Sequence, residues 1–167
     1  MKKYELLSPV GNLAMLNAAI KAGCDSVYLG LKEFNMRDNA KNFTLSELKQ
    51  AKKILYLTLN TIIYEKELEK LENLIKKISK NKLANAIICW DNSVIQLCKK
   101  YKIPIHISTQ ASVANSQSAE YYKKIGAKKI VLARELSLKQ IKQIQKQTNI
   151  GIECFIHGAM CVAISGR

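Results

Sequence analysis

Proline is nearly absent, with two residues in 167, and no linker, low-complexity tract or domain boundary interrupts the chain. Long apolar runs are missing as well. None approaches the ~20 residues that a membrane span needs. Met1-Lys2-Lys3 leads into a short apolar stretch that Ser8, Pro9 and Gly11 soon break, so no signal peptide is expected. The expected setting is the cytoplasm, with no membrane partner. The five cysteines, Cys24, Cys89, Cys98, Cys154 and Cys161, form an odd set without a CxxC pair. That argues against a disulfide framework and against an autonomous zinc site. No HExxH is present, which excludes that metalloprotease motif.

Acidic side chains are scarce: 13 against 27 basic ones, a net charge of +14. Such an excess favours polyanions, RNA above all. Only Arg37, Arg134 and Arg167 are arginines, whereas specific phosphate clamps tend to use arginine too. The lysines also go with a wealth of Ile and Asn, as in a genome biased toward such codons. Both readings stay open.

What the chain does have is an alternation of strand-like and amphipathic helical segments in what reads as one domain, residues 1–167. Strands are expected in YELLSP, SVYLGL, ILYLTLNTI, NAIICW, PIHIST, KKIVLARE and IGIECFIHG. Helices are expected in NLAMLNAAIKAG, TLSELKQAK, EKELEKLENLIKKISKN, SVIQLCKKY, SQSAEYYKKIG and SLKQIKQIQKQT. Asn12 is placed as an N-cap and Gly23 as a helix stop. Thr44 and Glu47 have capping-box spacing. Strand starts recur every ~20–30 residues, which implies parallel pairing through right-handed crossovers. The expected fold is α/β: a TIM-barrel-like (β/α) barrel, incomplete, with seven strands of eight. A doubly wound open sheet is the runner-up. Polar residues gather wherever strands finish, as at Asn12, Asn60, Asp91, Gln110 and His157, and that pattern suits a barrel mouth better than a single switch point.

Alternate strand residues share a face. Tyr56, Thr58 and Asn60 therefore fall together, as do His106, Ser108 and Gln110, and Glu153, Phe155 and His157. Leu55, Leu57 and Leu59, Ile105 and Ile107, and Ile152, Cys154 and Ile156 take the opposite face. The polar set is expected to point inward and the apolar set to meet the helices. A polar lining needs a ligand, waters or its own hydrogen-bond network. The candidate site follows from this. Asn60, Ser108, Thr109 and Gln110 are strand-end groups able to bind a ligand. Arg134 either grips an anionic substrate such as a carboxylate or bridges to a loop. His157 with Glu153 either orients a proton donor or binds a substrate carboxylate, or else His157 is hydrogen-bonded within a strand-end network. His106 is expected to be structural. Glu72 and Lys76 have helix-pair spacing, and Lys123, Lys124, Lys128 and Lys129 gather around the Gly126 turn.

The blocks ELLSPVGNLAMLNAAIKAGCDSVYLGLKEFNMR, NFTLSELKQA, IPIHISTQASVAN, IVLARELSLKQI and ECFIHGAMCVAISGR resemble, in order, the collagenase-like peptidase family of unknown catalytic type, peptidase family U thirty-two. The resemblance implies a barrel-like N-terminal domain. It also implies hydroxylation of a tRNA or ribosomal RNA base, a four-iron iron–sulfur cluster on four cysteines, and prephenate as a co-substrate in some members. Collagen-degrading activity is attributed to the family as well. Only Cys161 matches a cluster ligand; the family pattern places the next cysteine just past Arg167, so the chain is expected to be truncated. One thiolate does not hold such a cluster alone. A catalytically silent fragment that docks to a second polypeptide, which supplies the missing strand and cysteines, is a further expectation. Cys154 is expected in the core. A serine triad is hard to build, because His106 lies behind Ser108 on one strand; a Cys161–His157 dyad is conceivable.

Overall fold

In a computed structural model, residues 4–35, 43–48 and 54–158 are described. They fall into two compact units, Met1–Ile103 and Pro104–Arg167, each taken by itself here. The first unit contains β1 (Leu7–Pro9), α1 (Leu13–Lys21), β2 (Ser26–Gly30), α2 (Leu45–Leu48), β3 (Ile54–Thr58), α3 (Leu68–Lys80), β4 (Ala86–Cys89) and α4 (Asn92–Lys100). The second contains β5 (Ile105–Ile107), α5 (Ser116–Lys124), β6 (Ala127–Val131), α6 (Leu138–Thr148) and β7 (Gly151–Glu153).

Within each unit the strands pair in parallel and in chain order, β1 to β4 and β5 to β7. No reversal of order occurs, and a doubly wound sheet requires one. The fold is α/β and TIM-barrel-like. It is incomplete, with seven strands among the described residues where a closed barrel has eight. Among the described residues no helix is long and apolar enough to cross a membrane.

Several strands hand over to the next helix through a capping residue. The side chains of Asn12, Asp91 and Asn115 accept from the backbone N–H of Met15, Ser93 and Ser118 at 2.9, 2.8 and 2.9 Å. Ser137 and Gln140 form a capping box before α6. Part of the polarity at the strand ends is thus spent on orphan helix donors. The Thr44–Glu47 pair does the same before α2, with the Thr44 N–H donating to Glu47 Oε2 at 2.8 Å. Helices α3 and α4 bury apolar stripes, Leu71, Leu74, Ile75 and Ile78 on the first and Val94, Ile95 and Cys98 on the second.

In the first unit, Val27, Leu29, Leu55, Leu57, Ile87 and Cys89 line the helix-facing side, all buried. Cys89 there hydrogen-bonds Cys98 of α4, and that contact and burial push its thiol well up from its ordinary value. Register puts Tyr28 beside Tyr56, Tyr56 beside Ala86, and Thr58 beside Ile88 on the other side. The division of Tyr56 and Thr58 from Leu55 and Leu57 agrees with the strand period. The expected polar wall does not appear in this unit, however. Tyr56, Ala86 and Ile88 form an apolar cluster with Leu7 and Tyr28 packed against it. Polar groups sit at its two rims. At the strand starts, Tyr56 Oη donates to Glu5 Oε1 at 2.7 Å and Ser26 Oγ donates to the same carboxylate.

Glu72 feels Lys76 along its own helix, as its spacing allows, and also reaches across to α4, accepting from Lys100 Nζ at 2.6 Å and Tyr101 Oη at 2.8 Å. One further expectation is corrected. The last strand stops at Glu153, so Cys154 lies outside it and is exposed instead of in the core. The segment past Glu153 is exposed through Gly158, with Phe155 at 54% and Ile156 at 82%. Parity along a strand cannot place residues that are no longer in one.

Candidate functional site

The strand finishes of the second unit carry four of the eight expected residues, Ser108, Thr109, Gln110 and Glu153. Register sets His106 beside Lys129 and Lys129 beside Gly151. One step on along the same face come Ser108, Val131 and Glu153, the last two a register pair. His106 and Ser108 are buried, at 5% and 4% exposure. Ser108 Oγ donates to Gln110 Oε1. Gln110 lies in a 3-10 turn, Thr109–Ala111, not in the strand. Thr109 Oγ1 donates to Leu132 O at 3.5 Å, and Leu132 N donates to Glu153 O at 3.2 Å. Three strand tips are thus laced through Thr109, Leu132 and Glu153.

Arg134 sits in an exposed turn beyond β6, so strand parity no longer governs its direction. His157 is exposed, four positions past the end of β7, and does not end a strand as expected. Cys161 lies outside the described residues, as do Arg37 and Arg167.

Asn60 belongs to the first unit and lies two positions beyond β3. Its backbone is held at both ends: Asn60 N donates to Phe34 O at 3.2 Å, and Trp90 Nε1 donates to Asn60 O at 2.8 Å. Beside it is a buried cradle that sequence reasoning missed. A Cβ on Gly30 would lie 1.9 Å from Asn35 Nδ2, so only glycine leaves room for that buried amide. Thr58 Oγ1 donates to Leu29 O at 3.0 Å and approaches Asn35 Oδ1 at 3.4 Å.

Lys129 is the other residue missed. It looked like one of four lysines around the Gly126 turn, yet it stands inside β6 in register with His106. Its parity, opposite to Ile130 and Leu132, was the available signal. Gly151 matters here too, since a Cβ on it would meet Lys128 O at 2.8 Å.

The second unit's face carries a hydroxyl, an imidazole, an ammonium and a carboxylate, with a second hydroxyl and an amide in the turn above. It is suited to binding and orienting a polar or anionic group. It is not a serine-hydrolase arrangement: the Ser108 hydroxyl gives its proton to an amide oxygen, and an amide is no general base. Although Cys154 is exposed, partial desolvation by its surroundings, and then the neighbouring Glu153 carboxylate, raise its thiol, which disfavours the thiolate. An iron–sulfur cluster finds no fit among the described residues. Cys24, Cys89 and Cys98 are buried, and no group of three or more metal-ligating side chains is present there.

Similarity to known proteins bears on the family and the fold. An uncharacterized protease of Methanocaldococcus jannaschii is 42% identical over all of this chain and 44% of its own length. The tRNA hydroxylation protein P1 of Bacillus subtilis is 38% identical over 99% of this chain and 41% of its own. The chain therefore spans less than half the length of these curated relatives. A solved U32 peptidase superposes with a TM-score of 0.75 over 92% of this chain and 70% of its own, at 11% identity, which supports the barrel-like fold. With the family model matching residues 11–167, nearly the whole length, the chain belongs to peptidase family U32.

Proposed function

We propose that the chain is the N-terminal part of an RNA base hydroxylase acting on tRNA in the cytoplasm, and that its own residues bind and orient the substrates. The observation that carries this reading is the 38% identity to a tRNA hydroxylation protein over essentially the full chain. The +14 charge supports an RNA substrate. The face formed by His106, Ser108, Lys129 and Glu153 supports a small polar or carboxylate-bearing co-substrate, prephenate or a similar acid. In the full-length family the resemblance calls for a four-iron cluster. Cys161 would be one ligand, and the remaining thiolates would come from further chain or from a second polypeptide. No step is routed through it.

The test uses Bacillus subtilis lacking its tRNA hydroxylation protein P1. The strain receives this chain alone, or this chain joined to the part of the relative beyond the aligned region. Mass spectrometry of tRNA nucleosides should show hydroxylated bases restored by the joined protein. A folded, expressed joined protein that restores none would overturn the proposal. A peptidase is the second reading, favoured by the protease name of the archaeal relative. Gelatin cleavage by the purified chain, abolished by Cys161→Ala, is the result that would support it.

A further inference from the structure

The first unit carries a groove of about 670 Å³ between the segment after β2, the start of α2 and one side of α3. Its charged lining is Lys32, Lys66, Lys70 and Lys77 with Glu33 and Glu69. Lys70 is engaged with Glu33 at 3.0 Å and sits 5.8 Å over the Phe34 ring. With that pair matched, Lys32, Lys66 and Lys77 stand against Glu69 among the lining charges. On α3, positions 70, 73 and 77 fall on one stripe, and Lys70 to Lys77 spans about 10 Å at the helical rise; Lys66 comes from the 3-10 turn Glu65–Glu67 just before α3. Buried Phe43 and Leu74 form a firm floor beneath these exposed ammonium groups.

We propose that this groove holds the phosphodiester backbone of the RNA substrate. The inference rests on the RNA reading above and adds the surface that grips it. Lysine suits the task, being a point charge on a flexible stem that meets phosphates without reading bases. Four lysines from two walls against two carboxylates, Glu33 being paired with Lys70, give the groove the sign a polyanion needs. The pattern reads at first as an ordinary solvated helix face. What distinguishes it is the opposing wall, where Lys32 faces the same concavity from a different element.

The test measures binding of an unmodified tRNA transcript by the 167-residue chain across a salt series. Lys66→Glu with Lys77→Glu should lower affinity at least tenfold at low salt and flatten the log–log salt slope by about 1.5. Lys139→Glu with Lys142→Glu, on the exposed side of α6, makes the same change in net charge and should lose far less. If the reversed pair fails to fold by circular dichroism, Lys66→Gln with Lys77→Gln, which removes the same two phosphate contacts, should flatten the slope by about as much. Equal losses for the groove and control pairs overturn the groove, as does a wild-type chain that does not bind tRNA. Poly-glutamate binding as tight as tRNA in the groove assigns it to acidic proteins instead and overturns the RNA assignment. Base hydroxylation is scored separately. A joined protein that hydroxylates tRNA while the groove pair behaves like the control sinks only the groove. Groove-dependent tRNA binding without any hydroxylation sinks only the catalytic reading.

Discussion

In the first unit, the sheet face that carries Tyr28, Tyr56, Ala86 and Ile88 is closed by its own side chains, with Glu5 tying down the Tyr56 hydroxyl. In the second, the equivalent strand positions carry His106, Ser108, Lys129 and Glu153, with Val131 and Gly151 among them. Both faces come from parallel strands in chain order with the same period. The difference is in what each face yields. Apolar closure stabilises by roughly 25 cal/mol per Å² removed from water. Polar groups set in a half-buried wall gain little net stability even when hydrogen-bonded, and cost several kcal/mol where they are not. The first unit's face therefore reads as packed framework, and the second unit's polar face is the candidate place for a substrate.

Four outcomes would break or sharpen this contrast. The largest is expected for Tyr56→Ala, which should lose about 3–5 kcal/mol in urea unfolding; a loss under about 1 kcal/mol would mean the first unit's face is not a packed core. Gly151→Ala comes next. Its new Cβ would lie 2.8 Å from a backbone oxygen that cannot swing away, and overpacking of this kind costs about 1–3 kcal/mol. Hydrogen exchange should localise the damage to β6 and β7, and uniform loosening of the chain would count against it. Ser108→Ala should cost only about 1 kcal/mol of stability yet cut hydroxylated nucleosides at least tenfold in the joined protein. Equal modification by this variant would remove Ser108 from the site. For Cys154, Glu153→Gln should lower the raised thiol pKa, because the carboxylate that opposes the thiolate is gone. Alkylation of Cys154 at pH 8, followed by peptide mass mapping, should then quicken by about twofold or more.

The smallest effect serves as a control far from either face. Lys100 and Tyr101 hold the Glu72 carboxyl below its ordinary value. A depressed carboxylate contributes stability above its unfolded pKa of 4.5 and loses it as pH falls through the folded value. Glu72→Gln should therefore lower Tm slightly at pH 7 and not at all near pH 3. A difference that persists in acid would point to lost packing instead of lost charge.

Several features were legible along the chain because they are local. The Asn12 cap and the Gly23 stop depend on a few neighbouring residues, and the split of Leu55 and Leu57 from Tyr56 and Thr58 depends only on strand period. The expected site was legible in part. Ser108, Thr109, Gln110 and Glu153 converge, while Arg134 and His157 lie in exposed segments past their strands. Strand length decided that: β6 stops at Val131 and β7 at Glu153, and alternation carries no information beyond those ends.

The amino-acid order by itself determined the alternation of strands and helices, the parallel plan and the basic charge, since periodicity, capping and charge are properties of short windows. Only the tertiary structure decided which face closes on itself and which stays polar. Register between strands set Lys129 beside His106 and Tyr28 beside Tyr56, and the glycines at 30 and 151 matter because of a neighbour that no local window contains.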